Sequence, residues 1–104
     1  MPFGYHLAMR PSESLRRNRD ALRALVLRYR VRNPRLFGSV LSGKDTDESD
    51  LDLLVDPTPE TTLLDIAAIR HEAKRLLGVT VDVLTPNALP DSFRGDVVAG
   101  AEPL

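Results

Sequence analysis

The 104-residue chain contains no cysteine, which excludes disulfides, thiolate nucleophiles and cysteine-ligated zinc or iron–sulfur centres. Its two histidines, His6 and His71, are far apart in the sequence. His6 has no nearby ligand partner and reads as incidental; His71 and Glu72 find no third metal-type residue and read as surface positions. No apolar run approaches the roughly 20 residues of a membrane span. The start, Met-Pro-Phe-Gly-Tyr-His, lacks the basic and apolar regions of a signal peptide. A cytoplasmic protein without a membrane segment is expected. The length allows one small core but no separate substrate domain, so an extended substrate must bind at an open surface or against a partner.

Charge of one sign is missing locally. Residues 1–35 hold nine arginines and two acids, whereas residues 36–104 hold five basic residues and thirteen acids, and the whole chain carries a net charge of −1. A basic segment marks either an anionic partner or a solvated helix face.

Residues 1–11 have no useful period and contain Pro2 and Pro11, which predicts an extended arm ahead of a single domain over 12–104. From Ser12 to about Arg30, Leu15, Leu22, Leu25, Val26 and Tyr29 recur at helical spacing, with arginines on the other side. Ser12 or Ser14 is the expected N-cap, and Asn33-Pro34 the stop. No second helix follows through a short turn and no aromatic residues interleave the arginines, so a nucleic-acid interface is not expected. Further on, a helix is predicted from Thr61 or Thr62 to Leu77, with Leu63, Ile66, Ala67, Ile69, Ala73, Leu76 and Leu77 inward and Gly78 closing it. A final helix over 89–99 is expected to turn Phe93, Val97 and Val98 inward, and carries Arg94, a further candidate phosphate contact. The tail Ala-Glu-Pro-Leu carries no signal.

The informative stretch runs from Arg35 to Asp56. Arg35-Leu36-Phe37 predicts a short strand; Gly38-Ser39 turns into a helical segment, Val40-Leu41-Ser42, ending at Gly43. A helix N-terminus reached through glycine offers free N–H groups to phosphate oxygens. With ten residues between Ser39 and Asp50, Asp50 and Asp52 head a Leu-Leu-Val strand. Residues two apart in a strand share a face, so the carboxylates project together while Leu51, Leu53 and Val55 point into a core. Their separation of about two 3.3 Å rises lets them converge on metal ions about 3.5–4 Å apart. Two like charges on a poor strand-forming residue call for a neutralising cation. Asp45, Asp47 and Ser49 imitate the start of a calcium loop, but Asp50 stands where its glycine belongs and Asp56 where its glutamate belongs. Asp45, Asp47 and Glu48 are therefore expected as solvated loop acids. Thr80 to Leu84 predicts a third strand. Asp82 within it reads either as a half-exposed edge residue or, beside two other aspartates in a small sheet, as a third member of their cluster.

The pattern Arg35-Leu-Phe-Gly-Ser-Val-Leu-Ser-Gly followed by Ser49-Asp-Leu-Asp-Leu-Leu-Val-Asp resembles the minimal nucleotidyltransferases of the DNA polymerase β-like superfamily, over roughly residues 13–99. The resemblance implies an α+β two-layer fold with a small mixed sheet flanked by helices. It implies Gly38 and Ser39 as the nucleotide phosphate-binding pair, and Asp50, Asp52 and Asp82 as catalytic carboxylates binding two Mg²⁺ ions with ATP as substrate. It further implies transfer of AMP to a protein hydroxyl, a tyrosine of a HEPN-domain toxin, by the antitoxin half of a toxin–antitoxin pair. The alternatives are an antitoxin acting by stoichiometric binding, and a small-molecule transferase of the aminoglycoside-modifying kind.

Overall fold

The computed structural model describes residues 9–104; most of the expected arm, including His6, lies outside them. Four helices and four strands follow in the order α1 (Pro11–Leu27), β1 (Val31–Phe37), α2 (Ser39–Ser42), β2 (Leu51–Pro57), α3 (Leu63–Leu77), β3 (Val81–Leu84), α4 (Asp91–Gly100) and β4 (Glu102–Pro103), with a 3₁₀ turn, Pro86–Ala88, between β3 and α4. The strands form one mixed sheet in the order β3-β2-β1-β4. β1 runs antiparallel to both β2 and β4. β2 and β3 are parallel, and a parallel pair needs a crossover, which α3 supplies. This is the expected two-layer α+β architecture. No helix among the described residues is long and apolar enough to cross a membrane.

One face of the sheet makes the core. Leu36, Leu51, Leu53, Val55, Val81 and Val83 are buried against Leu15, Leu22, Leu25 and Val26 of α1 and Ile69, Ala73 and Leu77 of α3. The alternation in β2 thus commits its odd-numbered residues inward and leaves Asp52 and Asp56 on the opposite face. Leu54 on that second face is also fully buried, and the Pro86–Ala88 turn packs against β2.

Helix α1 begins one residue earlier than expected, with Arg10 as N-cap and Pro11 as the first helical residue, a position where the missing proline N–H costs nothing. Neither serine caps it. The cap comes from far away: Asp45 Oδ2 accepts the Ser12 N–H at 2.8 Å. Asp45 is buried, contrary to the solvated position expected for it, because the 43–50 loop folds back over the start of α1. Ser14 donates its hydroxyl to the Leu77 carbonyl at 2.6 Å, which satisfies one of the orphan acceptors at the end of α3 and ties the two helices together.

Asn33-Pro34 does not stop the helix, which has already ended at Leu27. It lies inside β1, where the pairing register shifts between Arg32 and Arg35. Asn33 takes φ 51°, a conformation that asparagine tolerates, and a bulge accommodates a proline that cannot donate to a ladder. Beyond the bulge, the Arg35 guanidinium holds Asp56 with two bonds of 3.0 and 3.1 Å, and Asn33 Nδ2 adds a third at 3.1 Å. This bidentate pair pins β1 to β2 and holds the Asp56 carboxyl below the ordinary aspartate range, chiefly through the hydrogen bonds from Arg35.

Four inward expectations fail. In α3, which a Thr62/Asp65 capping box starts, Leu63 is 87% exposed and Ala67 is also exposed, while Ile66, Ile69, Ala73, Leu76 and Leu77 make the contacts with the core. In α4, no residue is fully buried and Phe93 and Val98 are exposed; this helix packs on the Pro86–Ala88 turn rather than on the main core. The tail, silent in sequence, closes the sheet edge as β4, with Leu104 buried and its N–H donated to the Pro34 carbonyl. Removing the remote cap by Asp45→Ala is expected to cost about 1–2 kcal/mol, read as a lower urea midpoint with unchanged slope; an unchanged midpoint would show that the contact contributes nothing.

Candidate active site on the open sheet face

The three aspartates meet on the face of the sheet away from α1 and α3. Asp52 on β2 stands directly opposite Asp82 on the parallel β3. Side chains at paired register positions share a face, and Asp50, two residues before Asp52, falls on it as well. Asp50 and Asp82 are exposed and Asp52 is half-buried. Register thus makes Asp82 an edge-strand residue that stands directly beside Asp52.

Gly38 occupies the end of β1, one residue beyond Phe37, which pairs with Asp52. Its backbone takes φ 80°, ψ −152° as the residue before α2, a region essentially reserved for glycine. A Cβ placed there would collide with Asp52 Oδ2 and lie 3.3 Å from its Cγ. The glycine thus does two things: it lets the chain turn into α2, and it leaves the space in which the Asp52 carboxylate stands. Ser39, half-exposed, is the first residue of that helix, where N–H groups have no intrahelical acceptor.

The electrostatics follow from this crowding. The Asp52 carboxyl is pushed up to about 6, first by burial and then by the charges of Asp82 and Asp50. Among the described residues no cation forms an ion pair with the group. Three carboxylates supplying hard oxygen donors beside a glycine cradle suit Mg²⁺, and the mutual charge of the three is what a divalent ion would relieve. Among the described residues no three such groups stand together closely enough to hold a metal ion as they are, so Asp50, Asp52 and Asp82 do not form a ready-made coordination site.

Other candidates separate clearly. Arg94 donates to the Pro86 and Leu89 carbonyls at 2.8 and 2.7 Å and pairs with Asp91 at 2.6 Å; its guanidinium staples the 3₁₀ turn to α4 and is not offered to a phosphate. His71 is exposed, while Glu72 reaches Arg28 on α1 at 3.4 Å. Asp47 and Glu48, exposed as expected, line with Ser49, Asp50 and Thr80 a cleft of about 290 Å³ next to the cluster. Nothing in the sequence pattern pointed to that cleft, because it forms between the loop before β2 and the loop before β3.

Two expectations test the geometry. Gly38→Ala should lose about 1–3 kcal/mol of stability from the forced backbone and displace Asp52; a variant as stable as the parent would contradict the close approach. Asp52 has a folded pKa above its ordinary 3.8, so the folded metal-free state holds its proton more tightly than the unfolded chain does. Its stability contribution is present at low pH and is lost as pH rises from 3.8 to about 6. Asp52→Asn should therefore raise Tm relative to the parent at pH 7 but not at pH 4, whereas a pH-independent difference would refute the assignment.

Known proteins place this arrangement. The family model described as the nucleotidyltransferase domain matches residues 15–101. The chain is similar to the protein adenylyltransferase MntA of Thermococcus cleftensis, 34% identical over 71 residues, covering 68% of this chain and 72% of that one. It is also similar to a Methanocaldococcus jannaschii protein named as a candidate protein adenylyltransferase, 34% identical over 65 residues, covering 62% and 70%. A solved structure described as a minimal nucleotidyltransferase superposes with TM-score 0.80 at 40% identity, covering 89% of this chain and 95% of that one. A toxin–antitoxin crystallised with AMP-PNP shares the fold, with TM-score 0.70 at 18% identity over 83% and 71%. Matched over residues 15–101, the chain belongs to the nucleotidyltransferase domain family.

Proposed function

We propose that this protein is a Mg²⁺-dependent adenylyltransferase that moves AMP from ATP to a hydroxyl of a partner protein, a tyrosine of a HEPN-domain toxin, and so serves as an antitoxin. The observation that carries the reading is the Asp52–Asp82 register pair, with Asp50 beside it, on a sheet face next to the Gly38 turn. A protein acceptor is supported by that open face, by relatives named protein adenylyltransferases, and by the shared fold of the toxin–antitoxin crystallised with an ATP analogue.

Gly38 admits a phosphate close to the backbone, and Ser39 adds a hydroxyl and the first N–H groups of α2. Asp50, Asp52 and Asp82 would hold two Mg²⁺ ions, which when bound neutralise triphosphate charge. Asp82, exposed on the edge strand, is placed to accept the proton of the incoming hydroxyl. The acceptor oxygen forms a bond to the α-phosphorus, the bond from that phosphorus to the bridging oxygen breaks, and pyrophosphate leaves. Catalysis by these residues is positioning and charge compensation.

Co-expression with the HEPN-domain partner, followed by intact-mass measurement of that partner, tests the reading. Whole AMP increments are expected with the parent protein and none with Asp50→Asn/Asp52→Asn. A toxin neutralised without any mass gain would replace the enzyme by a stoichiometric inhibitor.

A further inference from the structure

A groove of about 410 Å³ lies between α1, α2 and the β1–β4 edge. Its floor is aliphatic: Leu15, Leu36, Val40 and Leu41 line it. Arg16 and Arg19 stand on the α1 side, and Glu102 on the strand side. The two acids of α1 are engaged elsewhere: Glu13 is held by Arg10 at 3.1 Å and Asp20 by Arg23 at 3.0 Å. Arg16, Arg17 and Arg19 are exposed, and none has a carboxylate within ion-pair distance among the described residues. Arg19 is held toward the groove edge by donating to the neutral Pro103 carbonyl at 2.9 Å, a contact that leaves its charge uncompensated.

An aliphatic floor beneath unpaired arginines selects its occupant by chemistry. Nucleic acid would use the arginines but not the floor, and among the described residues no aromatic side chain lines the groove to stack a base. An acidic amphipathic segment of a protein uses both: apolar side chains fill the floor and carboxylates meet the arginines. We infer that this groove is where the partner protein docks, through an acidic amphipathic segment. The inference rests on the reading of the acceptor as a protein. Because Val40 and Leu41 of the floor belong to the four-residue helix that starts at Ser39, a docked segment touches the same short helix that the proposed phosphate contact uses. Partner binding and nucleotide binding then share one short element.

The probe is a fluorescent synthetic helix of about 14 residues with leucines at i, i+3, i+4 and i+7 spacing and glutamates elsewhere, titrated by anisotropy into the full chain. Saturable binding is expected, weakened by salt and lost when the glutamates are replaced by lysines. Arg16→Glu and Leu41→Asp should each weaken it by about tenfold or more, whereas Arg70→Glu, the same charge change on exposed α3, should change it by less than about twofold. Four results would overturn the proposal: no binding of the acidic helix by the folded chain; equal weakening by Arg70→Glu, which would mean unspecific attraction; tighter binding of oligouridylate that is sensitive to the same variants; or binding only after removal of residues 1–8, which would make the chain's own start the occupant. The titration needs neither nucleotide nor transfer, so its failure leaves the catalytic reading standing, and a failure of AMP transfer leaves this result readable.

Discussion

Asp52 stands against the Gly38 backbone so closely that no other residue fits at position 38 without moving one of them. That contact joins the two halves of the site. β1 ends and α2 begins at Gly38, so the turn that presents backbone N–H groups is built around the carboxylate it leaves room for. Asp82 reaches the same carboxylate through the β2–β3 register. A single backbone conformation and a single strand pairing therefore fix the Gly38 turn and the Asp52 and Asp82 carboxylates relative to one another.

Such an arrangement is unfavourable on its own, and the rest of the fold holds it. Half-burial and two neighbouring negative charges raise the Asp52 pKa, so the metal-free site costs stability at neutral pH. The opposing terms lie elsewhere in the sheet: a fully buried aliphatic face against α1 and α3, and the bidentate Arg35–Asp56 pair that locks β1 onto β2. A slip of one residue would move Asp52 into the aliphatic core and expose Leu53. Register is thus enforced by the core face, and the strain on the open face is available to be relieved by a ligand.

The sequence carried the site because its chemistry is local. Gly38, Ser39, Asp50 and Asp52 lie within one stretch, and the alternation of aspartate with leucine announces which face each residue takes. Helix α3 and the β3 strand were legible for the same reason, through periodicity and the Gly78 stop. What escaped depends on contacts between distant segments. Asp45 looks like a loop acid until the 43–50 loop is seen capping α1; Asn33-Pro34 looks like a helix stop until a bulge absorbs it. Leu104 looks like an unmarked tail until β1 pairs with β4. Phe93 and Val98 have the spacing of a buried helix face, but spacing cannot say whether a core lies beside it.

The proposed function requires the open sheet face to bind a metal–nucleotide complex through Asp50, Asp52 and Asp82. Calorimetric titration of a non-hydrolysable ATP analogue into the parent protein and into Asp52→Asn, each with Mg²⁺ and with EDTA, tests it most directly. Saturable binding by the parent with Mg²⁺ alone, lost with EDTA and lost in Asp52→Asn, is the predicted result. Nucleotide binding of equal strength under all four conditions would contradict it.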